Sequence, residues 1–164
     1  MTSAGELLAE EIRRAGPVRF DRVMEVALYG PDVGFFAAVG EAGRRGDFLT
    51  SPEVGPLFGA VIAAALDRWW RELGEPDPFL VVEAGAGRGA LAIAVRRAAP
   101  DCLTALTYVL VERSEPLRRR QGEHLPLETP ALALLPSPLD GEASELVVGR
   151  GTGPRFTSLA DLPA

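Results

Sequence analysis

The residues best placed to do chemistry lie in one stretch, Val81-Val82-Glu83-Ala84-Gly85-Ala86-Gly87-Arg88-Gly89-Ala90. A short apolar run, Phe79 to Val82, leads into it, and a helical pattern of Leu91, Ile93, Ala94, Val95 and Ala98 leaves it. The order is strand, tight glycine turn, helix. Glycines allow positive φ and let a ligand approach the backbone closely. The helix that follows turns its unpaired N–H groups toward the same place. Such a crevice lies beyond the carboxyl ends of the strands in an open α/β sheet, where ligands bind. Glu112, 22 residues after Ala90, ends a second strand pattern, and an acid there can accept both hydroxyls of a ribose.

Two ligand classes fit this spacing. Gly85, Gly87 and Ala90 satisfy the dinucleotide pattern G-x-G-x-x-G/A, so an NAD-type domain stays open. Glu83 separates the two. It stands two residues before the first glycine, where a dinucleotide site continues its apolar strand, and a carboxylate aimed into the crevice repels a pyrophosphate. It suits a ligand with positive charge near the turn and no phosphate, such as S-adenosylmethionine. A non-catalytic assembly or interaction module is the other alternative, because fold does not fix function.

The elements that must position these residues fall into two parts. Residues 1–78 read as a helical extension. Leu7, Leu8, Ala9 and Ile12 form a helix stopped at Gly16-Pro17, and Phe20, Val23, Met24, Ala27 and Leu28 give the buried face of a second, ended by Gly30-Pro31. Residues 30–51 read as glycine-rich loop or hairpin. One long helix is predicted from Ser51, an N-cap, with Pro52 at N1 and an apolar stripe of Leu57, Phe58, Val61, Ile62, Ala65, Leu66 and Trp69. Residues 79–164 read as alternating strand and helix, the pattern of a parallel α/β sheet. The run 79–82 predicts a strand buried on both faces. Strands are expected at Leu106–Val111 and, more weakly, at Glu145–Val148 and Arg155–Thr157, with a helix opened by Ser114 and Pro116. Trp69 and Trp70 read as core and rim of a helix, Arg118 to Arg120 as a solvated face, and His124 and Cys102 as structural.

The motif Glu83-Ala84-Gly85-Ala86-Gly87-Arg88-Gly89 resembles motif I of the class I, Rossmann-like methyltransferases that use S-adenosylmethionine, with Glu112 as their acid after the second strand. Leu28-Tyr29-Gly30-Pro31, Gly34-Phe35-Phe36, Gly46-Asp47-Phe48-Leu49-Thr50-Ser51-Pro52-Glu53-Val54 and Leu57-Phe58-Gly59 narrow the resemblance to the MidA-type family, over roughly residues 18–125. The resemblance implies cofactor contacts from Glu83, Gly85, Gly87, Gly89, Glu112, Thr50, Ser51 and Ser158, and an acceptor entrance shaped by Asp47 and Glu53. It implies methyl transfer to a protein side chain, arginine in the mitochondrial branch. Members run longer, so this chain corresponds to the N-terminal half, a truncated form with the cofactor side of the site present; a complementing fragment or a homo-oligomer is the expected partner. Phe35-Phe36 departs from the family's usual Tyr-Tyr and removes two hydroxyls.

Composition narrows the field further. The chain has 164 residues, 47% of them hydrophobic and 24% charged, with a net charge of −6. An acidic chain is a poor nucleic-acid binder, because phosphate neutralisation dominates that affinity. No apolar run approaches the roughly 20 residues needed to span a bilayer. One cysteine excludes an internal disulfide and a thiolate zinc cluster, and one histidine leaves little room for a His-based metal site or a Ser-His-Asp triad. The acidic N-terminus lacks the pattern of a secretory signal, which gives a cytoplasmic expectation.

Overall fold

The computed structural model describes residues 2–38, 51–134 and 153–161. Its elements run α1 (Ala4–Ala15), α2 (Phe20–Tyr29), α3 (Phe35–Ala38), α4 (Ser51–Val54), α5 (Pro56–Glu72), β1 (Phe79–Ala84), α6 (Ala90–Ala98), a 3-10 turn (Asp101–Ala105), β2 (Leu106–Val111), α7 (Glu115–Gln121), β3 (Leu127–Glu128), α8 (Pro130–Ala133) and β4 (Arg155–Leu159). The strands form one parallel sheet in the order β1-β2-β4-β3. Parallel neighbours need a crossover, and α6 supplies it between β1 and β2. This is the α/β, Rossmann-like architecture expected. The strand candidate at 145–148 lies outside the described residues.

One sheet face carries Phe79, Leu106, Tyr108, Leu110 and Phe156, and Ala63 and Leu66 of α5 with Ala92 and Val95 of α6 close over it. α5 therefore shares its core with the sheet. Gly59 sets how closely the two helices approach, since a Cβ there would lie 2.3 Å from the Ala94 Cβ.

Three expectations are corrected. β1 is the edge strand of the described sheet, with Leu80 and Val82 55% and 47% exposed on its uncovered face. The strand buried on both faces is β2, whose six residues are all buried. The single helix from Ser51 is two helices. Pro56 has no N–H and disfavours helical backbone at the residue before it; Gly55 is accordingly extended, at φ 170° and ψ −179°. On α5, Leu57, Phe58, Val61 and Trp69 face solvent, while Gly59, Ala63 and Leu66 face the core. Trp70 packs against that core and its Nε1 donates to the Pro76 carbonyl at 3.0 Å.

On α2 the buried residue is Val26, and Phe20 and Met24 are exposed. The reason is where α2 docks. Arg113, just past β2, donates to both carboxylate oxygens of Glu25 at 2.7 and 2.8 Å and lies 4.5 Å from the centre of the Tyr29 ring. The Ser114 hydroxyl donates to the Phe36 carbonyl at 2.7 Å. Gly34 makes the turn into α3 possible, since a Cβ there would lie 2.4 Å from the Gly30 nitrogen. Phe36 then packs on Tyr29 (5.7 Å between ring centres) and Phe35 (4.9 Å). The helical extension is thus anchored at the carboxyl end of β2.

Candidate cofactor site

The glycine turn after β1 has three left-handed residues: Gly85 at φ 72°, Gly87 at φ 55° and Gly89 at φ 84°. They do different work. A Cβ added at Gly85 or Gly87 meets nothing within 4 Å among the described residues, so neither is packed against them. A Cβ at Gly89 would press on Leu110 and Leu125 at 3.2 Å, so this glycine lets α6 settle onto the sheet. The Gly85 and Ala86 N–H groups both donate to the Val111 carbonyl, at 2.9 and 3.0 Å, which carries the β1–β2 pairing into the turn.

Glu112 is buried and tied to backbone on both sides. Its Oε2 accepts from the Gly87 N–H at 2.9 Å and its Oε1 from the Ser114 N–H at 2.8 Å. Its own N–H donates to the Leu159 carbonyl at 3.0 Å, and Arg118 donates to its carbonyl at 2.6 Å. A carboxylate offers about four lone pairs, so two backbone donors leave one on each oxygen for a pair of ribose hydroxyls. On the other side of the turn, Gln121 of α7 is wholly buried. Its Nε2 donates to the Gly87 carbonyl at 2.7 Å, and its Oε1 has no partner among the described residues.

Glu83 shares its strand face with Phe79 and Val81, the face that α5 and α6 cover. Strand alternation therefore turns the carboxyl against β2, where its Oε2 accepts from the Tyr108 hydroxyl at 2.9 Å. This corrects the picture of a free carboxylate. Burial pushes its pKa up to about 7, while the Tyr108 hydrogen bond pulls the other way. The same burial and the neighbouring carboxylate push the Tyr108 phenol up. At neutral pH the Glu83 carboxyl carries only part of a charge, so charge repulsion alone does not set a dinucleotide aside.

Across the sheet, Glu83 pairs in register with Leu110, and Leu110 with Ser158, so the three form one row near the carboxyl ends. The Ser158 hydroxyl is buried with no partner among the described residues. The structure thus gathers Glu83, Gly85, Gly87, Gly89, Glu112 and Ser158 around the ends of β1, β2 and β4. Ser51 is the exposed first residue of α4, and Glu53 lies on its backbone. Asp47 and Thr50 lie outside the described residues. Arg88 lines a groove of about 710 Å³ on the outer side of α6, between the start of α5 and the end of α7.

Sequence reasoning misses Tyr108, Gln121 and Arg118. Tyr108 sits in an apolar run and Gln121 at a helix end with no motif around it. Arg118, expected on a solvated face, donates to the carbonyls of Glu112 and Arg113. Its spacing of four from the N-cap Ser114 is the one signal that could have placed it over the strand end.

A family model described as "Putative S-adenosyl-L-methionine-dependent methyltransferase" matches residues 61–143, half of the chain. The chain is 39% identical over 90 residues to the mitochondrial protein arginine methyltransferase NDUFAF7 homolog of Drosophila melanogaster, covering 55% of this chain and 21% of that protein. It is 30% identical over 149 residues to the mitochondrial protein arginine methyltransferase NDUFAF7 of Rattus norvegicus, covering 88% of this chain and 33% of that one. A crystal structure of an uncharacterized protein from Burkholderia thailandensis superposes with a TM-score of 0.57 at 29% identity, over 98% of this chain and 35% of that chain. The chain therefore spans between about a fifth and just over a third of these relatives, a smaller share than the half expected. With the motif-bearing turn inside the matched segment and the same fold in the structural relative, the chain belongs to the MidA-type family of S-adenosyl-L-methionine-dependent methyltransferases.

Proposed function

We propose that this chain is the cofactor-binding part of a methyltransferase that uses S-adenosyl-L-methionine and acts on a protein side chain. The observation that carries the reading is the turn itself. Two left-handed glycines are unpacked among the described residues, and the buried Glu112 carboxylate is fixed against Gly87. The residues suit that cofactor. Glu83 stands where an ammonium would draw it into its charged form, the start of α6 offers N–H groups to a carboxylate, and Glu112 has lone pairs left for ribose hydroxyls. The Ser158 hydroxyl, without a partner among the described residues, offers a hydrogen bond to the adenine side. When bound, the cofactor supplies a methyl group on an electrophilic sulfonium. The work of these residues is to hold it in place and in line with the acceptor.

Arginine is the acceptor we propose, because the mitochondrial relatives are named protein arginine methyltransferases. Carboxylates would orient its guanidinium, and Asp47 and Glu53 are the candidates at the entrance, with Thr50 and Ser51 beside the cofactor. A second reading, an assembly module, is favoured by one feature: β1 ends the described sheet with Leu80 and Val82 bared, which suits a complementing fragment or a second copy.

A calorimetric titration of the chain with S-adenosyl-L-methionine tests the proposal, with Glu83→Ala as control. Saturable binding that the substitution abolishes supports it. A folded chain that gives no heat at any accessible concentration overturns it and leaves the assembly reading.

A further inference from the structure

We propose that Gln121 is a positioning residue of the cofactor site, which sets the orientation of the Gly87–Arg88 peptide by holding the Gly87 carbonyl from beneath. The proposal rests on the cofactor reading above. Gly87 is held from two sides. Its N–H is fixed by Glu112 Oε2 at 2.9 Å, its carbonyl by Gln121 Nε2 at 2.7 Å, and the two anchors come from the end of β2 and the end of α7. A peptide unit is planar and trans, so its carbonyl and the next N–H point in opposite directions. Holding the Gly87 carbonyl toward the buried Gln121 therefore turns the Arg88 N–H to the opposite side of the turn.

Glycine makes this anchoring necessary. Gly87 at φ 55° has no side chain and, among the described residues, no neighbour within 4 Å of where a Cβ would stand, so their packing does not choose among its conformations. The hydrogen bonds must. Gln121 fits that task better than a core-filling one. It is wholly buried yet has one polar atom, Oε1, without a partner among the described residues, a cost that an apolar residue of the same size would not carry. Its Cγ also stands 3.6 Å from where a Cβ on Gly89 would lie, so one side chain supports both ends of the Gly87–Gly89 segment.

Nuclear magnetic resonance and calorimetry on the chain test this. In the wild type, one proton of the Gln121 side-chain amide should be protected from solvent exchange; an unprotected amide overturns the proposal without any variant. Gln121→Met keeps length and bulk and removes the donor. It should move the Gly87 carbonyl carbon and Arg88 amide nitrogen resonances. It should also weaken binding of S-adenosyl-L-methionine by about tenfold while changing binding of adenosine, which lacks the methionine end, much less. Equal losses for both ligands, in step with lost stability, would show an ordinary buried hydrogen bond and overturn the positioning role. Unchanged affinity despite shifted resonances would overturn it too. Failure of the wild type to bind either ligand sinks the cofactor reading and with it this role, whereas the resonances alone decide whether Gln121 sets the turn.

Discussion

Glu83 ties the stability of the fold to pH, and the size of the effect follows from its surroundings. Its carboxyl is buried between β1 and β2 with the Tyr108 hydroxyl as its partner, and burial carries its pKa from 4.5 up to about 7. The folded state therefore holds a proton that the unfolded chain gives up. Stability from this group is fully present below about pH 4.5 and is lost as pH rises through about 7. At 1.36 kcal/mol per pKa unit, that rise corresponds to about 3 kcal/mol between the ends of the window. Glu83→Gln keeps the shape and does not titrate. The wild type should lose about 3 kcal/mol relative to this variant between pH 4.5 and pH 8. Urea unfolding of both proteins across that range reads the difference, and every other titrating group cancels to first order. For m near 1–3 kcal/mol/M, the two midpoints should move apart by roughly 1 to 3 M. Tyr108→Phe sharpens the test. Its hydroxyl favours the charged carboxylate, so removing it should carry the decline to higher pH. A wild-type minus Glu83→Gln difference constant within about 0.5 kcal/mol would refute a desolvated carboxyl at this position.

Three further outcomes follow from the geometry. Glu112→Gln leaves one acceptor for two buried N–H groups and turns an amide donor on the other; it should cost about 1–3 kcal/mol in urea unfolding and weaken S-adenosyl-L-methionine binding in calorimetry. Gly87→Ala forces a side chain into a left-handed conformation, at about 1–2 kcal/mol, and puts a methyl group in the open turn, so cofactor affinity should fall more than stability does. Gly59→Ala must push α5 away from Ala94, at a cost of about 1–3 kcal/mol read as a lower Tm, with cofactor affinity unchanged where the variant is folded.

The sequence exposes what is local. The alternation of apolar strand and amphipathic helix is enough to read β1, α6, β2 and α7, and Gly16 and Gly30 end α1 and α2 as their types suggest. Glu83, the three glycines and Glu112 can be found because a strand-turn-helix ligand site has a fixed spacing. What stays hidden depends on who packs on whom. The apolar stripe on α5 finds its core face only in part: Leu66 is buried and Ile62 packs against the core, whereas Leu57, Phe58, Val61 and Trp69 face solvent, because Pro56 restarts the helix and Gly59, not a large side chain, meets Ala94 of α6. β1 reads as buried on both faces because its composition is apolar, whereas burial depends on what packs against a strand, and among the described strands β2, not β1, has a neighbour on each side.

The hidden part of the site has the same character. Gly87 takes its N–H partner from Glu112, 25 residues away and at the spacing the turn motif predicts, but its carbonyl partner from Gln121, 34 residues away, which no motif marks. This changes what substitution at Glu112 can prove. Its carboxylate supports the turn whether or not it touches a ribose, so lost cofactor binding alone does not assign it to the sugar. Gln121 supplies the missing control, because it holds the same glycine from the other side and reaches it through the carbonyl. If Glu112 acts only through the turn, Glu112→Gln and Gln121→Met should weaken S-adenosyl-L-methionine alike and leave adenosine nearly untouched. If the lone pairs left on Glu112 hold the ribose hydroxyls, Glu112→Gln should weaken adenosine as well, and Gln121→Met should not.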